Sequence, residues 1–127
     1  MIFLDANIII YAFKPEYGCL LQQLMDSDEN LACSDIVRLE VLGFHGLQLE
    51  DTKRLAEFFE AIRIIPVSRE IVDIAIGLRQ QKAIGSPDAI IAATALATNQ
   101  KLWTSNVRDF KWIEDLKWHN PIGDNSV

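Results

Sequence analysis

The chain has 127 residues, 50% apolar and 24% charged, with 12 basic against 18 acidic side chains and a net charge of −6. This composition argues against disorder, and the acidic balance argues against a protein that coats nucleic acid through a broad basic face. It leaves open a nucleic-acid enzyme whose clustered carboxylates are neutralised by bound cations. The length fits a single domain spanning residues 1–127 that buries a core without staples.

The chain opens on MIFLDANIIIYAF, an apolar run interrupted by Asp5. No Lys or Arg precedes the run, Asp5 cuts it into pieces too short for an export signal or a membrane span, and no small-residue cleavage site follows. It reads as folded protein with no membrane partner. Ile2-Phe3-Leu4 suits a buried strand. Asp5 then falls where a helix should begin, as its cap or as a functional group at a strand end. Leu31-Ala32-Cys33 is a second strand, followed by the helix SDIVRLEVLGFHG. At about 100° per residue, Glu40 lies between Ile36, Val37, Phe44 and Leu47 on an inward face, almost opposite Arg38 and His45. A buried carboxylate needs a partner, here either an arginine from elsewhere or a metal or catalytic role.

Asp51 begins a helix in which Leu55, Phe58, Phe59 and Ile62 form one core stripe. Ile64-Ile65 is a third strand, which Pro66 places at a sheet edge or strand end. Ser68 caps the next helix, with Ile71, Ala75 and Leu78 on one face. Ser86-Pro87 starts another, Ser as cap and Pro at the first position. Asp88 sits in its first turn, favoured by the helix dipole, and shares a face with Ala92 and Ala95, small enough for close approach to the sheet. Leu102-Trp103 is a fourth strand, ending in the hydroxyls of Thr104 and Ser105. Asn106 and Asp109 have the spacing of a cap for a short helix and equally that of a functional pair. From about Asn120, Pro121, Gly123 and Asn125 break any pattern and mark a loose tail. Cys19 and Cys33 have no metal-ligand spacing and read as buried free thiols in a reducing, cytoplasmic compartment.

Strands alternating with helices predict a parallel sheet with helices on both faces, whose ligands bind outside the carboxyl ends of the strands. Asp5, Asp88 and Asp109 map to that edge, and Glu40 to a facing helix. Clustered carboxylates repel and take up protons unless Mg2+ or Mn2+ neutralises them. Such a cation polarises a phosphoryl oxygen and lowers the pKa of water, the requirements of phosphodiester hydrolysis.

Four segments in this order resemble the PIN-domain ribonucleases, in particular the VapC-type toxins of toxin–antitoxin modules: FLDANIIIYA with Asp5 and Asn7, SDIVRLEVLGF with Glu40, SPDAIIAATAL with Asp88, and LWTSNVRDF with Thr104, Asn106 and Asp109. The resemblance implies a three-layer α/β/α fold with a central parallel sheet of about five strands. It also implies an endoribonuclease dependent on Mg2+ or Mn2+, a homodimer, and a cognate antitoxin whose tail reaches the acidic pocket. Many relatives carry an acid nearer Asn106, so either Asn106 or Asp109 completes this site. In the mechanism that follows, Asp5 and Asp88 hold the metal with Glu40, Glu40 positions or deprotonates the attacking water, and Asp109 or Asn106 completes the shell with Thr104.

Three other readings compete. His45 and His119 could act as a metal-free acid–base pair, but nothing in their spacing brings them together. A Mg2+-dependent phosphatase with an aspartyl nucleophile would want an Asp-x-Asp pair, and here the third position is Asn7. An inert binding module could keep an acidic pocket for a basic peptide. RNA specificity is expected in loop shape and a few scattered cations such as Lys14, Arg38 and Arg108.

Overall fold

The computed structural model describes residues 1–123; the predicted break at Asn125 lies outside them. Five strands form one parallel sheet in the order β3-β2-β1-β4-β5. They are β1 (Ile2–Leu4), β2 (Leu31–Ser34), β3 (Arg63–Ile65), β4 (Lys101–Trp103) and β5 (Trp118–His119). Burial follows position in the sheet. Central β1 is buried throughout, as expected for an apolar run covered on both faces, whereas both residues of the edge strand β5 are exposed. β3 holds the other edge, and Pro66 follows its last residue, where a missing N–H costs the ladder nothing.

Helices α1 (Ala6–Ala12) and α2 (Gly18–Met25) connect β1 to β2, and α3 (Asp35–Leu42) and α4 (Leu49–Ala61) connect β2 to β3. α5 (Arg69–Gln81) and α6 (Ser86–Thr98), packed against each other, make the long crossover from β3 to β4, and the short α7 (Val107–Phe110) leads on toward β5. Phe3, Leu4, Ile8, Ile9, Leu24, Ile91, Leu102 and Phe110 are fully buried between sheet and helices. Among the described residues no helix is long and apolar enough to cross a membrane.

Several helix signals hold and others shift. The Ser68 hydroxyl accepts from the Ile71 N–H (3.2 Å), and Ile71, Ala75 and Leu78 are buried. The core stripe of α4 is as expected at Leu55, Phe58 and Phe59, although the helix starts at Leu49 behind an extended Gln48, two residues before Asp51. Ser86 is not a cap. Gly85 is the extended residue before α6, so Ser86 and Pro87 both lie inside the first turn, where proline's missing N–H has no helical partner to lose. Asn99 ends α6 in the left-handed region at φ 52°, a conformation that asparagine tolerates. Cys33 is buried in β2, but Cys19 is exposed on α2, contrary to its apolar sequence context. The predicted loose tail begins with order: the Asn120 carboxamide oxygen accepts from the N–H groups of Ile122 and Gly123.

Candidate carboxylate centre at the switch point of the sheet

Chain direction across the sheet reverses between β1 and β4: β1 leads toward β2 on one side and β4 toward β5 on the other. Such a switch point opens a crevice at the carboxyl ends of the strands. Asp5 follows β1 and Thr104 follows β4 at this crevice, their backbones tied by the Asp5 N–H donating to the Trp103 carbonyl (3.0 Å).

Asp5 is only 3% exposed, and three donors hold its carboxylate. The Ala6 N–H donates to Oδ1 (2.7 Å), while the Thr104 hydroxyl (2.7 Å) and the Asn7 amide (3.1 Å) donate to Oδ2. The cap predicted for α1 is therefore present. It uses one oxygen and leaves the other facing Thr104 and Asn7. Asn7 is fixed in turn, its side-chain oxygen accepting from the Ser105 N–H (3.2 Å), and the Thr104 oxygen accepts from the Asn106 N–H (3.0 Å). Thr104 thus orients the carboxylate as its place at the strand end suggested. Ser105 enters through its backbone, which no side-chain pattern could have signalled.

Asp88 lies half-buried in the first turn of α6, above the fully buried face carrying Ala92 and Ala95. Asp109 is exposed on α7 and takes a hydrogen bond from the Asn106 amide (2.7 Å). The arrangement inverts the predicted cap: the Asn106 side chain donates to the carboxylate of Asp109 and makes no cap bond to the helix backbone.

Glu40 is not on an inward face. α3 ends at Leu42, so Phe44 lies beyond it and is 65% exposed, and the helix buries Val37 and Val41 while Glu40 is exposed. The wheel failed because it continued the helix past its end. What survives is the missing counter-charge. Among the described residues no Lys, Arg or His forms an ion pair with Asp5, Glu40, Asp88 or Asp109. Arg38 turns to Asp35 (2.7 Å).

The four acids are nevertheless coupled to one another. Burial above all pushes the Asp5 carboxyl up to about 6, against the lowering influence of the Thr104 hydrogen bond, and the charges of Asp88 and Glu40 add to the rise. Desolvation and then Asp88 raise Glu40; desolvation and then Asp109 raise Asp88. This is the signature of like charges sharing a partly desolvated site. Their donor set, all oxygen, suits a hard divalent cation. No three His, Cys, Asp or Glu side chains among the described residues already surround a single point, so the acids form an open cluster rather than a closed cage. Among the described residues the Glu40 and Asp88 carboxylates have no hydrogen bond to give up on closing around an ion.

The histidines do not assemble. His45 is exposed in the loop between α3 and α4, whereas His119 lies on edge strand β5 against the ring of Trp103 (4.9 Å between centroids). Asn7, bound to Asp5 and to Ser105, supplies the crevice with an amide where an Asp-x-Asp phosphatase would place its second acid.

The family model described as the PIN domain matches residues 2–115. This chain belongs to the PIN-domain family. Within it, the chain is similar to the VapC proteins. It is 32% identical to Ribonuclease VapC19 of Mycobacterium tuberculosis over 109 residues, which cover 82% of this chain and 86% of that one. Among solved structures, a toxin-antitoxin complex from Klebsiella pneumoniae contains a chain 29% identical with a TM-score of 0.78, covering 95% of this chain and 98% of that one. VapBC2 from Rickettsia felis, bound to a DNA fragment from its promoter, matches with the same identity and TM-score over 94% of this chain and 98% of that one. The five-stranded parallel sheet flanked by helices is the PIN-like fold that the motifs implied.

Proposed function

We propose that this PIN-domain chain is an endoribonuclease dependent on Mg2+ or Mn2+, the toxin of a toxin–antitoxin pair acting in the cytoplasm. The observation that carries the reading is a switch-point crevice in which Asp5, Glu40 and Asp88 have raised pKa values, Asp109 adds its charge beside Asp88, and among the described residues no cation forms an ion pair with any of them. A ribonuclease name on a relative 32% identical over most of its length supports the substrate class. A toxin-antitoxin complex among the structural neighbours supports a protein partner.

Asp5 and Asp88, with Glu40, are the residues that would hold the ion, and Asp109 or Asn106 with Thr104 would complete the shell. A divalent cation bound there supplies phosphoryl polarisation and a water of lowered pKa. The protein's own contribution is orientation and proton transfer. Thr104, Asn7 and the Ala6 N–H hold Asp5 in one rotamer before any ligand arrives, which spares the reorganisation cost at the moment of reaction. Glu40, exposed and unpaired with its pKa raised, is the group able to take a proton from the attacking water.

The test is incubation with total cellular RNA, with Mg2+ or with EDTA, comparing wild type with Asp5→Ala and mapping the cut ends. Discrete cuts are expected only from wild type with Mg2+. Cleavage that survives both chelation and the substitution overturns the reading.

A further inference from the structure

Beside the carboxylate centre lies a cleft of about 890 Å3, bordered by Tyr11, Asn106, Arg108, Asp109, Trp118 and His119. Its size is within the roughly 300–1,000 Å3 of sites that hold small ligands. It shares a wall with the centre, because Asn106 is bonded through its N–H to Thr104 and through its amide to Asp109. On that wall the polar groups are bonded to one another. Two other groups of the lining are not: among the described residues the Arg108 guanidinium on α7 and the Trp118 indole on β5 have no hydrogen bond, ion pair or ring partner, and Trp118 is 40% exposed.

A free indole and a free guanidinium facing one cleft are what a nucleotide needs, the indole to stack on a base and the guanidinium to pair with a phosphate. The strand carrying Trp118 is fixed. The Leu102 N–H donates to the Lys117 carbonyl (2.9 Å) and the Thr104 N–H to the His119 carbonyl (3.0 Å), so β5 is tied to the very residue that orients Asp5. Resting on the ribonuclease reading above, we propose that this cleft is the subsite for the nucleotide flanking the scissile phosphodiester of single-stranded RNA. Trp118 and Arg108 are its specificity-determining residues. A splayed base stacks on Trp118 while Arg108 takes the adjoining phosphate, which sets the register of the strand over the carboxylates.

The test is steady-state cleavage of a single-stranded RNA oligonucleotide with a mapped cut site, in Mg2+, by wild type, Trp118→Ala, Trp118→Phe and Arg108→Ala. Loss of one stacking contact or one phosphate contact is expected to raise KM about ten-fold with kcat changed by less than about two-fold. Trp118→Phe, which keeps an aromatic face, should recover most of the wild-type KM. Both alanine variants should lose preference for the nucleotide on one side of the cut. Circular dichroism confirms that each variant is folded. Unchanged KM and cut pattern in both alanine variants overturns the subsite, and this is also the result if the cleft receives a protein segment rather than RNA. Absence of cutting by wild type instead overturns the ribonuclease reading, and the subsite with it.

Discussion

At the residue scale, the centre turns on how Asp5 is held. Its carboxylate is buried yet fully bonded, so Thr104 decides whether it remains an oriented anion. Thr104→Val keeps the shape but leaves Oδ2 with the Asn7 amide alone and deprives the Asn106 N–H of its acceptor. A cost of roughly 1–3 kcal/mol in urea denaturation is expected for the broken buried bonds. Because that hydroxyl lowers the Asp5 pKa, the acid limb of the pH–rate profile should also move to higher pH. A merely structural threonine would leave the profile in place. The raised pKa has its own consequence for the metal-free protein. Between the ordinary 3.8 and the folded value of about 6, the folded chain retains a proton that the unfolded chain releases. The contribution of Asp5 to stability is therefore full below 3.8 and lost as pH rises through 6, amounting to about 3 kcal/mol at roughly 1.4 kcal/mol per pH unit. Urea denaturation in EDTA at about pH 5 and about pH 7.5 should show the part of this loss that falls above pH 5, about 1.4 kcal/mol, reduced in Asp88→Asn, which removes one of the repelling charges.

At the element scale, the helices that carry Glu40 and Asp88 depend on small residues. Gly43 closes α3, and a Cβ there would run into the Leu39 carbonyl oxygen. Gly43→Ala is expected to destabilise the fold by about 1–3 kcal/mol, because backbone must shift to relieve the clash. Its displacement of Glu40 should show as lowered kcat in the RNA assay. Strands β1 to β4 were legible in the sequence because each is a short apolar run between helical patterns. The acids Asp5, Asp88 and Asp109 were legible because they follow strands or open helices. Strand β5 left no such trace: Trp118 and His119 are two exposed residues held mainly by the N–H groups of Leu102 and Thr104, a contact made by distant chain rather than by local periodicity. The exposed position of Glu40 departs from the sequence pattern for a related reason. The apolar Phe44 and Leu47 extended the helical wheel beyond Gly43, although the chain leaves the helix there and exposes Phe44. Cap positions such as Gly85 against Ser86 differ by a single residue, a distinction that composition does not carry.

At the scale of the whole molecule, the topology brings together acids separated by most of the chain, since β1 and β4 are neighbours only because the crossover through α5 and α6 passes over the sheet. The same topology leaves Leu39 on α3, Val67, and Val72 and Ile76 on α5 exposed. Leu39 and Val67 border one hollow and Val72 and Ile76 lie one turn apart on α5; a homodimer would cover exposed apolar side chains of this kind, which commonly mark an interface. Ile76→Glu is expected to shift the protein toward monomer in sedimentation equilibrium while leaving its circular dichroism unchanged. Titration of the metal-free protein with Mn2+ by calorimetry tests most directly whether Asp5, Glu40 and Asp88 act with Asp109 or Asn106 as one metal centre. Wild type should bind Mn2+ and gain thermal stability, and Asp88→Asn, with its fold intact, should bind at least about ten-fold more weakly. Equal Mn2+ affinity in the two proteins would show that the acids do not form one metal centre.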